Sequence, residues 1–234
     1  MFLFCAPMHG YSFTLKSAQL TALSVGILWW ADRKLLCVSD LHLGKSERMA
    51  RRGGALLPPY ENKDTLTRLA TAVNALDPVT VICLGDSFDD LEALDALNDE
   101  DHQTLATMMS GRRWIWIEGN HDAGPVNIGG THLAEFETGP LRFRHIAIAG
   151  ASGEVSGHYH PKSSVKLKAG TLSRPCFLLD ENRVILPAFG SYTGGLKSTD
   201  PAFDPLFSAQ ALAVLTGSQA LPTPKPHTVT SQSR

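Results

Sequence analysis

Short, unbroken apolar runs recur along this chain, and each ends abruptly in polar residues, while longer stretches between them carry apolar residues three or four apart. The run Lys34-Leu35-Leu36-Cys37-Val38-Ser39 gives way to Asp40-Leu41-His42. A continuous apolar run of that length predicts a strand buried on both faces that feeds a loop. From Asp64 to Leu76 the apolar set Leu66, Leu69, Ala70, Val73 and Leu76 forms a helical stripe, which Asp77-Pro78 stops. Val79 to Leu84 predicts a second buried strand, ending in Gly85-Asp86. Asp99 to Met109 predicts a helix with Gly111 as its stop, and Trp114 to Glu118 a third strand ending in Gly119-Asn120-His121-Asp122. Leu141 to Ile148 alternates around His145 and reads as a fourth strand.

Strand, helix, strand, helix, strand in that order argues for an α/β core with parallel pairing. Upstream, Tyr11 to Leu15 and Leu20 to Trp30 read as extended segments. Downstream, Val165 to Leu167, Cys176 to Leu179 and Val184 to Leu186 read as strands without intervening helices, so a second, more antiparallel sheet is expected. From Thr216 the chain is rich in Ser, Thr, Pro and Gln, with three prolines in five residues around Lys225. That composition predicts a single domain over residues 1–215 and a disordered tail over 216–234.

Composition narrows the class. With 234 residues, 43% of them apolar, the chain can build a sizeable core without disulfides. The four cysteines, Cys5, Cys37, Cys83 and Cys176, show no CxxC pairing, and Cys37 and Cys83 lie within predicted strands. They read as small buried hydrophobes in a reducing compartment rather than as zinc ligands or disulfides. No apolar run approaches the roughly 18–20 residues of a membrane span, and Met1 to Met8 makes a poor signal peptide. A cytoplasmic protein without a membrane partner is expected. The formal net charge of −2 supplies no global field for nucleic acid, so any such affinity must come from a local patch.

The polar chemistry collects at the strand ends, where sites form in open α/β sheets. Asp40 and His42 follow the first strand, Asp86 the second and Asn120 the third. His145 lies on the fourth, followed by the loop Gly157-His158-Tyr159-His160-Pro161. Each group alone has a bland reading: an Asp-x-His triplet arises by chance, Gly-Asp is a common turn, and Asn tolerates a left-handed backbone. Seven ligand-type groups in this order are not so easily dismissed. Two divalent cations roughly 3.5–4 Å apart need a bridging anion, which a carboxylate such as Asp86 supplies. Carboxylate, imidazole and amide ligands without thiolate suit Mn²⁺, with Fe or Zn as alternatives, in place of a closed structural zinc site.

Asp40-Leu41-His42, Gly85-Asp86 with Asp89, Gly119-Asn120-His121-Asp122, His145 and Gly157-His158-Tyr159-His160 together resemble the signature of the calcineurin-like metallophosphoesterase superfamily. The resemblance implies an α/β fold, a two-sheet β-sandwich flanked by helices in four αββα layers. It implies that Asp40, His42, Asp86 and His160 hold one metal and that Asp86, Asn120, His145 and His158 hold the other. A metal-bridging hydroxide would be the nucleophile. His121 would stabilise the transition state or protonate the leaving oxygen, and Asp122 would orient it. A narrower resemblance joins Asp40 to Lys45, the Gly157 to Pro161 loop, Pro175-Cys176-Phe177 and Leu186 to Gly195. It is to the bacterial DNA ligase-associated (PdeM-type) metallophosphoesterases. That likeness implies an endonuclease of DNA repair associated with a DNA ligase and helicase. Asp89 stands where this subgroup commonly carries His or another polar residue.

Two segments add detail. Gly190, Gly194 and Gly195 permit close backbone approach, either at the site or in a structural turn across the sandwich. If the stretch after Asp40-Leu41-His42 is helical, Lys45, Arg48 and Arg52 share a face and form either a phosphate-backbone contact or a solvated charged surface. The expected activity is thus metal-dependent phosphodiester hydrolysis on nucleic acid. The alternatives are a small phosphodiester or nucleotide pyrophosphate as substrate, and a metal-free binding scaffold, against which the complete ligand set argues.

Overall fold

A computed structural model describes residues 9–226, apart from 55–57, 59, 91–92, 94–96, 123, 125–126 and 169. Seven strands form the first sheet in simple chain order: β1 (Gly10–Leu15), β2 (Ala18–Leu23), β3 (Leu28–Trp30), β4 (Leu35–Val38), β5 (Thr80–Leu84), β6 (Arg113–Ile117) and β7 (Thr131–Leu133). The first four pair antiparallel and β4 to β7 pair parallel. The extended segment expected from Leu20 to Trp30 is two strands, because Gly26 at φ 88° turns the chain back between them.

Helix α2 (Glu61–Leu76) crosses from β4 to β5, and α3 (Asp99–Met109) from β5 to β6. Their stripes, including Leu66, Leu69, Val73, Leu105 and Met108, pack on Leu36, Val38, Val81, Cys83 and Trp114. Each such side chain contributes about 1.5–3 kcal/mol on burial. The Asn98 side chain accepts the Asp101 N–H at 2.9 Å and so caps α3. No helix among the described residues is long and apolar enough to cross a membrane.

The second sheet holds β8 (Glu135–Thr138), β9 (Leu141–Arg144), β10 (Glu154–Ser156), β12 (Gly170–Leu179), β13 (Arg183–Ile185), β14 (Leu212–Leu215) and β15 (Leu221–Pro224), with β11 (Lys162–Leu167) paired to β12. Most of its pairs are antiparallel, as expected, but β9–β10 and β10–β13 are parallel. The expected fourth strand ends early at Arg144, so His145 sits just beyond β9 in this sheet, not beside the parallel strands of the first. The sheets pack face to face, Cys37, Ile82 and Ile115 against Phe143, Val155, Phe177 and Val184. The outer face of the second sheet is covered by a 3₁₀ turn, Pro201–Phe203, and its flanking loop, through Phe203 and Leu206. This fourth layer therefore lacks an α-helix among the described residues.

One expectation needs correction. Disorder was expected from Thr216, yet Leu221–Pro224 pairs antiparallel with β14 as an edge strand. Proline is tolerated there because an edge strand leaves alternate N–H groups unpaired. Residues 227–234 lie outside the described residues. Cys37, Cys83 and Cys176 are buried free thiols, and desolvation raises the pKa of each. Cys5 lies outside the described residues.

Candidate metal centre

Parallel pairing between β4 and β5 continues past the strands into the loops that follow. His42 N–H donates to Asp86 O at 2.9 Å, Leu43 N–H to Ser87 O at 2.9 Å, and Asp89 N–H to Leu43 O at 2.9 Å. The loops bearing Asp40, His42 and Asp86 are thereby locked side by side. Five of the seven expected ligands, Asp40, His42, Asp86, His158 and His160, have φ between 45° and 70°. Left-handed backbone is uncommon in residues bearing a Cβ and gathers at functional sites.

Among the described residues, ligand atoms gather in one cluster from Asp40, His42 and His160, a second from Asp86, His145 and His158, and a third from His42, Asp89 and His121 that overlaps the first. Asn120 joins the second, its Oδ1 3.0 Å from His145 Nε2. All seven expected ligands are thus brought together. Gly119 permits the Asn120 approach, since a Cβ there would lie 2.2 Å from the Asp86 amide nitrogen and Oδ1.

Hydrogen bonding fixes which nitrogens face inward. His145 Nδ1 donates to Leu84 O at 2.8 Å, so Nε2 is the nitrogen left to face the site. That Nε2 faces Asn120 Oδ1, His158 Nδ1 at 3.2 Å and Asp86 Oδ2 at 3.4 Å. Likewise His42 Nδ1 pairs with Asp89 Oδ1 at 2.7 Å, which turns its Nε2 toward His160 Nε2, 3.4 Å away. Asp40 Oδ2 accepts Ser39 Oγ–H and the His158 N–H, whereas Oδ1 is buried without a hydrogen bond, 2.9 Å from His160 Nε2. Lone pairs converging on lone pairs in a buried site are costly unless a cation lies between them. The donor set fits divalent metal ions.

Burial raises the Asp86 pKa, but the His145 hydrogen bond and charge, the His121 N–H and His42 outweigh it, and the carboxyl lies well below its ordinary range. Desolvation lowers the His145 pKa, yet Asp86, Asp40 and the Leu84 carbonyl raise it overall. In His158, desolvation and the nearby His145 charge hold the pKa below its ordinary value.

Two expected roles look different in three dimensions. Asp122 does not orient the His121 ring: its carboxylate accepts the backbone N–H groups of Asp86, Ser87, Phe88 and Gly119 at 2.8–3.2 Å. It therefore shapes the loop that carries Asp86. The His121 ring is instead held by Asp89, through Nδ1–H to the Asp89 carbonyl at 3.0 Å. The basic face also splits. Helix α1 (Lys45–Arg51) turns Arg48 inward onto Asp89 Oδ2, Arg51 pairs with Asp90 at 2.9 Å, Lys45 is half-buried and Arg52 stays exposed.

Sequence reading missed one support and left the duty of another open. Ser39, the last residue before Asp40, holds the Asp40 carboxylate; a lone serine at a strand end gives no signal of that duty. Asp89 bonds His42, His121 and Arg48 at once, which only the fold brings about. The glycine-rich run after Leu186 does approach the site. Phe189 and Gly190 donate backbone hydrogen bonds to Ser39 O and Asp40 O at 2.8 and 3.0 Å, and a Cβ on Gly190 would meet Leu41 O at 2.1 Å.

Residues 33–186 match the family described as calcineurin-like phosphoesterase. Among solved structures the chain is similar to the crystal structure of Pseudomonas putida nuclease MPE, with 27% sequence identity and a TM-score of 0.69, over 92% of this chain and 100% of that one. No curated protein sequence matches it.

Proposed function

Because the chain belongs to the calcineurin-like phosphoesterase family and is a metal-dependent hydrolase of phosphate esters, we propose that it cleaves phosphodiester bonds in nucleic acid as an endonuclease. Its biological setting would be DNA repair, alongside a DNA ligase and helicase. The similarity to a Pseudomonas putida nuclease supports the substrate class, and the motif likeness to ligase-associated relatives supports the setting. The observation that carries the chemistry is the inward convergence of the His42 and His145 Nε2 atoms on the buried Asp40 and Asp86 carboxylates, with Asp40 Oδ1 left without a hydrogen bond.

In this reading Asp40, His42 and His160 would hold one cation and Asn120, His145 and His158 the other, with Asp86 available to both. Mn²⁺ suits that mixture of carboxylate, imidazole and amide better than Mg²⁺. When bound, such a pair of ions supplies Lewis-acid charge to the phosphoryl group and makes attacking water acidic near neutral pH. Protein groups do the rest. Asp89 fixes the His42 tautomer, so that Nε2 presents its lone pair. The Asp89 carbonyl holds His121 by Nδ1–H, leaving Nε2 to carry a proton to the leaving oxygen. Asp122 keeps the Asp86 loop in its left-handed turn through four amide hydrogen bonds.

The test is hydrolysis by chelator-stripped and Mn²⁺-reloaded protein of bis-p-nitrophenyl phosphate, p-nitrophenyl phosphate, single-stranded and duplex DNA, and a nucleotide pyrophosphate. Stripped protein is expected to be inactive, Mn²⁺ to restore more activity than Mg²⁺, and DNA to be cut internally. Undiminished hydrolysis after exhaustive chelation would refute the metal assignment. Hydrolysis of the pyrophosphate but never of DNA would move the substrate to a small molecule.

A further inference from the structure

A second basic element emerges directly from the metal loop, and no motif identifies it. Between Glu154 and Asp180 the sequence has no acidic residue but carries Lys162, Lys166, Lys168 and Arg174. These lie on the hairpin formed by β11 and the first half of β12, paired from Lys162↔Pro175 to Leu167↔Gly170. Only the second half of β12, from Cys176, pairs with the rest of the sheet, so the hairpin extends beyond it as a two-stranded ribbon. Its base is two residues from His160, and Lys197 pairs beside Lys162 there.

Strand alternation sorts the two faces. Val165 packs inward beside Tyr159 and Phe207. The opposite face presents Lys162, Ser164 and Lys166, with Ser173 and Thr171 across the register. Lys166, Lys168, Ser164, Ser173 and Thr171 are exposed. Among the described residues Lys166, Lys168 and Lys197 form no ion pair. Lys162 alone is committed, its Nζ donating to Thr193 O at 3.2 Å. Alternating ammonium and hydroxyl groups at about 6.8 Å intervals along a narrow ribbon are the groups that bind phosphate backbones. A ribbon of this kind also fits a major groove about 12 Å wide. Meanwhile Arg48 and Arg51 of α1 are occupied by Asp89 and Asp90.

We propose that the outer face of this ribbon and its turn, through Lys166 and Lys168 with the hydroxyls of Ser164, Thr171 and Ser173, bind the phosphate backbone of nucleic acid and lead it to the metal loop. The assignment rests on the nucleic-acid reading above and names the surface that executes it in a chain whose net charge is −2.

The experiment compares the Mn²⁺-loaded full chain with Lys166→Ala/Lys168→Ala. Apparent KM for DNA is measured across 50–200 mM salt, the range over which backbone contacts respond strongly. Bis-p-nitrophenyl phosphate serves as the small ester. The double variant is expected to raise KM for DNA about tenfold and to flatten its salt slope by about 1.4–1.8, as each lost contact retains 0.7–0.9 of a counterion. Turnover of the small ester should stay within about twofold, and Lys166→Arg/Lys168→Arg should restore the slope. Arg174→Ala, on the opposite face, should leave the slope unchanged. Wild-type activity on DNA with an unaltered KM and slope in the double variant would overturn the ribbon assignment alone. So would unaltered values with new self-association, which would assign these lysines to guarding a free strand edge. A wild-type chain that hydrolyses the small ester but neither binds nor cuts DNA would overturn the nucleic-acid reading, and the ribbon with it.

Discussion

At the residue scale, the centre shows how few groups set the state of many. Asp89 accepts from His42 with one carboxylate oxygen and from Arg48 with the other, while its carbonyl holds His121. Burial raises its pKa, but the hydrogen bonds and charges of His42 and Arg48 prevail and lower it overall. Asp89→Ala removes the acceptor that fixes the His42 tautomer. Loss of such a support costs roughly 10–100-fold in metal affinity, so competition with a graded chelator should show one of two bound ions released that much more readily. Unchanged metal retention would mean that His42 is oriented by something else.

At the element scale, α2 is clamped to the loop that buttresses Asp40. Asp64 Oδ2 accepts from Ser191 Oγ at 2.6 Å and from Arg68 Nε at 2.9 Å. Arg68 in turn donates to Phe189 O at 2.8 Å and lies over the Phe189 ring. The Ser191 hydrogen bond is the chief cause that brings the Asp64 pKa below its ordinary 3.8, with Arg68 assisting against desolvation. A depressed carboxyl binds fewer protons when folded than when unfolded. Its stabilisation is therefore present above pH 3.8 and is lost as pH falls through the folded-state value. Thermal midpoints of the wild type and Asp64→Asn should differ near pH 6 and converge as pH drops below about 3.8. A gap that persists in acid would show that the clamp does not act through ionisation.

At the scale of the whole molecule, two sheets share one core, and the chemistry sits where loops from both meet. The first sheet delivers Asp40, His42, Asp86 and Asn120, and the second delivers His145, His158 and His160. Anything that loosens the second sheet must therefore reach the candidate metal site. Its last strand, β15, covers the β14 edge over four register pairs. Removing residues 218–234 would expose that edge, at a cost of about 1–2 kcal/mol from lost hydrogen bonds. The thermal midpoint should then fall by roughly 2–8 °C, with concentration-dependent association through the bared edge. An unchanged melt would show that the edge strand contributes no stability.

Local chemistry made the candidate ligands legible in sequence. Each of the first four follows an unbroken apolar run, because a buried parallel strand must be apolar along its length and polar where it emerges. The same logic gave β4, β5, β6, α2 and α3. It failed for Leu20 to Trp30, where one glycine reverses the chain, and for Leu221–Pro224, where prolines resemble disorder although an edge strand accepts them. Roles that depend on who stands opposite were not encoded locally. Asp122 lies next to His121 in sequence but turns its carboxylate to four backbone amides, while Asp89, thirty-two residues away, takes the ring. Arg48 reads as a surface cation until α1 is seen to aim it at Asp89, and the lysines of β11 read as scattered until the hairpin aligns them on one face. Strand ends and ligand types follow from short-range periodicity and solvation, so the sequence alone determined them. Hydrogen-bond partners and the sharing of charge depend on contacts between distant segments, and only the tertiary structure decided those.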